Sequence, residues 1–275
     1  MPERAALAGR RIVVTRARAA GEQLATRLRD LGAIPLIRPL IAIAPPDDLT
    51  PLDAALRELR QFEWLVCTSA NAVAALHERL QALGLPKEPP STVRVGAVGS
   101  ATAAAFRANG WRVDNLPATY TAAGLAEAFG DLTGQRVLFP ASAIARPTLA
   151  EGLRARGATV EMVTAYRTVI LPLEPGEPLV AALQDDAINA VTLTSPSTVR
   201  GFLPFLAASG RERHSPALVC VGPTTADAAR EAGLTVSAIA TEQDASGLIA
   251  ALCALFDRPA TRSEQPRNAM KEVHS

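Results

Sequence analysis

The chain has 275 residues, and 28 basic side chains against 27 acidic ones leave a net charge of +1. That length accommodates two domains, while a charge so close to zero, with no runs of one sign, excludes an electrostatic case for nucleic acid or an acidic membrane surface. No segment approaches a membrane span and the opening MPERAALAGRR lacks the apolar stretch of a signal peptide, so the expected location is the cytoplasm.

In chain order, IVV (12–14) is the first predicted strand, and Leu24, Leu28 and Leu31 then fall on one helical face. IPLIRPLIAIAP (34–45) is extended and about twice the ~5–6 residues of a mean strand. WLV (64–66) runs through Cys67 into TSANAV, and VGSATAAAFRANG (98–110) reads as a loop entering an alanine-rich helix. A helix at TAAGLAEAF (121–129), a strand at VLF (137–139) and a second long extension, TVEMVTAYRTVILP (159–172), follow. The last part repeats the theme with VTL (191–193), TSPSTV, VGPTTADAAREAG (221–233) and DASGLIAAL (244–252), where Leu248, Leu252 and Leu255 share a face. The end, 257–275, is polar, carries two prolines and has no periodicity, so it is expected to be a disordered tail.

The two halves are copies of one another. WLVCTSANAV returns as NAVTLTSPSTV, VGSATA as VGPTTA, TAAGLAEAF as DASGLIAAL, and GRRIVVTR (9–16) more faintly as GQRVLFPA (134–141). A unit of half the chain far exceeds the ~20–50 residues of a solenoid repeat. The strand-like runs are short, apolar and non-alternating, as in strands covered on both faces. Alternating with helices, they imply two similar doubly wound α/β lobes with parallel sheets. The long extensions, 34–45 and 159–172, leave two arrangements open. Either both cross between lobes, so that the first βα unit joins the C-terminal half, or the lobes are contiguous with one crossing.

Loops after parallel strands gather at the carboxyl edge, where ligands of open α/β sheets bind. Here they offer Thr68, Ser69 and Asn71; Gly99, Ser100 and Thr102; Ser195 and Ser197; and Gly222, Thr224 and Thr225. Each hydroxyl near a helix start can simply cap the helix. Together, with free N–H groups and positive dipole ends, they can also line an anion-binding cleft. Gly99 and Gly222 allow backbone to approach a ligand. GAVG (96–99) is not a dinucleotide fingerprint, there is no P-loop, and His77, His214 and His274 lack metal-ligand spacing. Ser195 and Ser197 lack the flanking glycines of a nucleophile elbow. Cys67, Cys220 and Cys253 form no CxxC pair and suit a reducing compartment. Tyr166, one of two tyrosines, lies in the second extension, where it either packs or presents its hydroxyl to a ligand.

The ordered set VVTR, CTSANAV, VGAVGSATAAAF, the AYRT segment, TLTSPSTV and VGPTTADAAREAGL resembles the uroporphyrinogen-III synthase family over nearly the whole chain up to about residue 256. Ala17 departs from the proline that often follows the Thr-Arg pair in that family. The resemblance implies two lobes joined by a two-stranded hinge, one discontinuous (1–37 plus 171–256) and one inserted (38–170). It also implies cyclisation of hydroxymethylbilane, with inversion of its last ring and loss of water, without cofactor or metal; the absence of an obvious interface stripe in the sequence favours a monomer. Tyr166 is then the general acid, and the cleft hydroxyls with Arg16 hold substrate carboxylates; for Arg16 and Arg146 surface solvation is the plainer role. A cytoplasmic two-lobed binding or sensing module is the competing class.

Overall fold

The computed structural model describes residues 6–210 and 216–257; His214, His274 and the expected tail from residue 258 onward lie outside them. In chain order the strands are β1 (Arg11–Val14), β2 (Ile34–Ile37), β3 (Ile41–Ala44), β4 (Trp64–Cys67), β5 (Arg94–Ala97), β6 (Arg136–Ser142), β7 (Thr159–Ile170), β8 (Ala190–Leu193), β9 (Ala217–Cys220) and β10 (Val236–Ile239). The helices are α1 (Arg18–Asp30), α2 (Thr50–Arg57), α3 (Ala70–Ala82), α4 (Ser100–Ala108), α5 (Ala122–Glu127), α6 (Thr148–Arg154), α7 (Pro178–Gln184), α8 (Pro196–Ser209), α9 (Pro223–Glu231) and α10 (Ala245–Phe256).

The strands form two five-stranded sheets, β10-β9-β8-β1-β2 and β3-β7-β6-β4-β5. The first is parallel throughout, and the second is parallel except for the β3–β7 pair. With β6 matched to β1, the order β7-β6-β4-β5 repeats β2-β1-β8-β9, and an isolated parallel bridge from Gly96 to Asn115 stands where β10 stands in the first sheet. The duplication seen in the sequence is therefore a duplication of lobes.

Strand residues alternate between two cores. Leu65, Cys67 and Leu138 enter one cluster, whereas Trp64, Val66, Val137 and Phe139 enter another. In the first sheet Val13, Val191 and Leu193 face one cluster while Ile12, Val14 and Ala190 face the other. A strand with both faces buried has no polar side to show, which is why these runs lack alternation.

The two extensions behave differently. Residues 34–45 break into β2 in one sheet and β3 in the other, separated by Arg38, Pro39 and Leu40. Residues 159–170 remain one 12-residue strand, parallel to β6 in its first part and antiparallel to β3 over Arg167–Ile170. Leu171 then donates its N–H to Leu40 O at 2.9 Å. This β3–β7 ladder joins the lobes.

Arg38 fastens the crossing between β2 and β3. It donates to Glu177 Oε2 (2.9 Å), Pro39 O (2.6 Å) and Pro172 O (3.3 Å), and its guanidinium carbon lies 5.1 Å from the Phe205 ring centroid. Both members of the ion pair are largely buried, so truncation strands Glu177 in a poorly solvated site. Arg38→Ala is expected to cost about 2–3 kcal/mol in urea unfolding; a cost below about 0.5 kcal/mol would contradict this role.

In the second lobe the His77 ring stands edge-on to Trp111 at 5.0 Å, and its Nε2 is buried without a hydrogen-bond partner among the described residues. Burial holds the imidazole below its ordinary 6.5. As pH falls through 6.5 the unfolded chain therefore takes the proton first, and stability declines until the lower folded value is passed. His77→Phe removes this part of the slope. In urea unfolding between pH 7 and about 5 the wild type is expected to lose stability more steeply than the variant. Parallel curves would show that the imidazole does not titrate in this way.

Candidate active site

Each parallel sheet collects its loops at one edge, and the duplicated joints cap helices there in two ways. Ser69 caps α3, its Oγ accepting from Ala72 N at 3.1 Å. Ser195 caps α8 through Thr198 N at 3.2 Å, and Thr198 Oγ1 accepts in return from Ser195 N at 3.0 Å. Gly99 and Gly222 cap α4 and α9 with extended backbone and no side-chain hydrogen bond.

The remaining candidates separate by exposure. Asn71, Ser100 and Thr224 are exposed, Arg16, Thr68, Ser69 and Ser195 are half-buried, and Thr102, Ser197 and Thr225 are buried. Thr102 and Thr225 occupy equivalent positions in the first turn of their helices and are buried in both. The Ser197 hydroxyl accepts from Arg200 at 3.1 Å. Burial lowers the Arg16 guanidinium from its ordinary value, while Asp244, the N-cap of α10, pulls the other way. Arg146 is exposed.

Two side chains at this edge carry no motif and escaped the sequence reading. A Cβ on Gly99 would lie 3.3 Å from the Tyr120 ring, and one on Gly222 would lie 3.0 Å from the Gln243 side chain. Tyr120 and Gln243 are counterparts in the repeat, each just before the N-cap (Thr121 or Asp244) of the next helix. Their only sequence signal is that position, directly ahead of the Ala/Ser-Gly-Leu block. Tyr120 remains 55% exposed.

Tyr166 owes its position to an irregularity. Along β7, Val163 and Ala165 alternate into the core beneath α3, so the next residue should face the other way. The pairing with β6 slips between Ala141 and Ser142, opposing Ser142 to Tyr166. That bulge returns the tyrosine to the same cluster as Val163 and Ala165. Its hydroxyl lies 3.0 Å from Ser69 Oγ, and its carbonyl accepts from Ala143 N at 2.9 Å, tying down the loop after β6. Beside the ring a cavity of about 320 Å³ runs between α2 and α3, lined by Ile43, Leu49, Asn71, Ala75 and Arg79 among others. Arg79 is held there by two hydrogen bonds to Asp53, at 2.5 and 2.6 Å. Of the predicted set, Ser69 and Tyr166 are the pair that meet.

The thiols belong to the cores. Burial pushes the Cys67 thiol far up and that of Cys220 up to about 11, Arg230 opposing the latter. Both stay protonated near neutral pH. Among the described residues no group of three or more His, Cys, Asp or Glu side chains converges as metal ligands would.

The architecture defines a class: two duplicated, doubly wound α/β lobes on a two-stranded ladder, with a polar edge on each lobe. Two solved structures with a similar fold each cover 90% of this chain and 99% of their own. One is a mutant uroporphyrinogen III synthase from the extremely thermophilic bacterium Thermus thermophilus (TM-score 0.57, 21% identity), the other uroporphyrinogen-III synthetase from Helicobacter pylori (TM-score 0.57, 20% identity). The family model described as uroporphyrinogen-III synthase HemD matches residues 22–250. The uroporphyrinogen-III synthase of Synechococcus elongatus is 32% identical over 254 residues, 90% of this chain and 95% of the relative. The chloroplastic uroporphyrinogen-III synthase of Oryza sativa subsp. japonica is 32% identical over 233 residues, 81% of this chain and 73% of the relative. The chain belongs to the uroporphyrinogen-III synthase family, lyase-type cyclases of tetrapyrrole biosynthesis.

Proposed function

We propose that the protein closes hydroxymethylbilane into uroporphyrinogen III with inversion of ring D, and that Tyr166 is its general acid. The observation that carries this reading is a largely buried tyrosine near the carboxyl edge, turned inward by a bulge, its hydroxyl held 3.0 Å from a helix-capping serine. Loss of water from the substrate breaks the bond between the hydroxymethyl carbon and its oxygen. The oxygen leaves with the electron pair and needs a proton, and the phenol gives it. The carbocation left behind is delocalised over the electron-rich pyrrole. It attacks the substituted carbon of ring D, and the spiro intermediate fragments and recloses inverted.

The substrate carries eight carboxylates and also closes unaided without inversion, so its conformation must be held. Uncapped N–H groups behind Gly99 and Gly222, the hydroxyls of Thr68, Ser100, Ser195 and Thr224, the Asn71 amide and the half-buried Arg16 supply neutral and cationic donors for that purpose. The inward-facing Thr102, Ser197 and Thr225 then shape the joints. The reading takes residues 1–37 plus 171–256 and residues 38–170 as the two lobes that close on the bilane. It also takes the catalyst as a cytoplasmic monomer, supported by the near-neutral charge and by Cys67 and Cys220, buried thiols outside any disulfide. No helix among the described residues is long and apolar enough to cross a membrane.

The test is to supply freshly generated hydroxymethylbilane, oxidise the products and separate uroporphyrin isomers I and III. Isomer III in excess over the protein-free control is expected. Isomer I alone, from folded protein, would demote the chain to a binding or sensing module.

A further inference from the structure

We infer that Ser69 is the positioning residue that makes Tyr166 a proton donor, an inference that rests on the acid role proposed above. A serine hydroxyl has one proton and two lone pairs. In Ser69 one lone pair accepts Ala72 N–H at 3.1 Å, and the other side of the oxygen meets the Tyr166 hydroxyl at 3.0 Å. The two hydroxyls can be arranged in two directions. If Tyr166 donated to Ser69, its proton would be committed within the protein and only lone pairs would face the substrate. With Ser69 donating, the chain runs Ala72 N–H to Ser69 Oγ–H to Tyr166 O–H, and the last proton points outward to the leaving oxygen.

This direction also serves the charge that develops. The C–O bond breaks as the phenol proton moves to oxygen, giving water and a phenolate. The Ser69 proton stabilises that phenolate through a charge-assisted hydrogen bond. Serine is itself polarised by a backbone N–H in the first turn of α3, the positive end of a 13-residue helix. When the spiro intermediate has fragmented and the macrocycle recloses, the unsubstituted carbon of ring D that forms the final bond releases its proton and the phenolate takes it back, so no co-reactant is needed.

The duplicate lobe isolates the special feature. Ser195 caps α8 as Ser69 caps α3, but its partners are in the capping box with Thr198. The chain's two tyrosines, Tyr120 and Tyr166, both stand with Ser69 in the other lobe. The same cap is thus built twice, and a phenol meets it once.

A double-mutant cycle tests this, with isomer III formation measured for wild type, Ser69→Ala, Tyr166→Phe and the double variant, and thermal melting run alongside. Ser69→Ala is expected to lower kcat about tenfold or more, the worth of one charge-assisted hydrogen bond, with KM changed by less than about twofold. Ser69→Thr keeps both cap and hydroxyl and is expected to restore kcat. In the Tyr166→Phe background the Ser69→Ala change is expected to have no further effect on kcat, because the serine then has no phenol to direct. Losses that multiply in the double variant, or a raised KM with kcat unchanged, would overturn the inference and make Ser69 a substrate ligand. A fall in kcat that merely follows the melting temperature, and that threonine does not rescue, would overturn it in favour of a structural cap. Each of these leaves the ring-inverting activity of the wild type standing. Absence of isomer III from wild type would remove the reading and the inference together.

Discussion

Tyr166→Phe is expected to slow isomer III formation by about 10²-fold or more, the usual worth of a positioned general acid, with KM little changed. The substitution removes one oxygen from a ring that otherwise stays packed with Val163 and Ala165 above β7. It deletes the hydrogen bond to Ser69, so the stability loss should be only about 1 kcal/mol. A folded protein with a normal KM and a low kcat is the signature of an interaction made in the transition state alone. As the enzymatic route slows, unaided closure competes, and the product shifts toward isomer I. Full activity in Tyr166→Phe would remove the phenol from the chemistry.

The largest expected loss of stability comes from a residue with no chemistry. Gly247 is the third residue of α10, where its N–H is accepted by the Asp244 carboxylate at 2.9 Å. The preceding turn folds back so tightly that an added Cβ would lie 2.0 Å from Glu242 O. Backbone cannot yield as a flexible side chain can, so Gly247→Ala is expected to destabilise by about 3 kcal/mol. That corresponds to a fall in Tm of the order of 10 °C. The counterpart Gly124, whose Cβ would stand 2.4 Å from Thr119 O, should show the same effect in smaller measure. An unchanged melting curve for Gly247→Ala would mean that the turn is looser than this. The same turn carries Gln243 over Gly222, so a folded Gly247→Ala protein should also bind substrate less well.

These glycines explain why so much of the architecture was legible. The Ala/Ser-Gly-Leu blocks repeat because each tolerates only glycine at the third helical position, and the Val-Gly joints repeat because a side chain lies against each glycine. Strands buried on both faces were readable from their unbroken apolar runs. What was hidden depends on contacts distant in sequence. Tyr120 and Gln243 have no motif, since their place is set by the glycines they cover. Thr102, Ser197 and Thr225 were grouped with the cleft donors because spacing marks a helix start but not which way its first turn faces the core. The break at Arg38–Leu40 was invisible in an extension whose apolar residues run on past Pro39. Tyr166 stood out by rarity and by its place on the crossing strand. Its inward turn required a bulge, and the partner that gives it a direction lies 97 residues away.

The measurement that tests the acid role of Tyr166 most directly changes the leaving group. An analogue bilane bearing aminomethyl in place of hydroxymethyl is protonated at neutral pH and departs as ammonia with the proton it already carries. Turnover of wild type and Tyr166→Phe should be compared on both substrates. If Tyr166 protonates the leaving hydroxyl, the deficit of about 10²-fold or more on hydroxymethylbilane shrinks to a few-fold on the analogue. An equal deficit on both would show that the phenol acts elsewhere in the reaction.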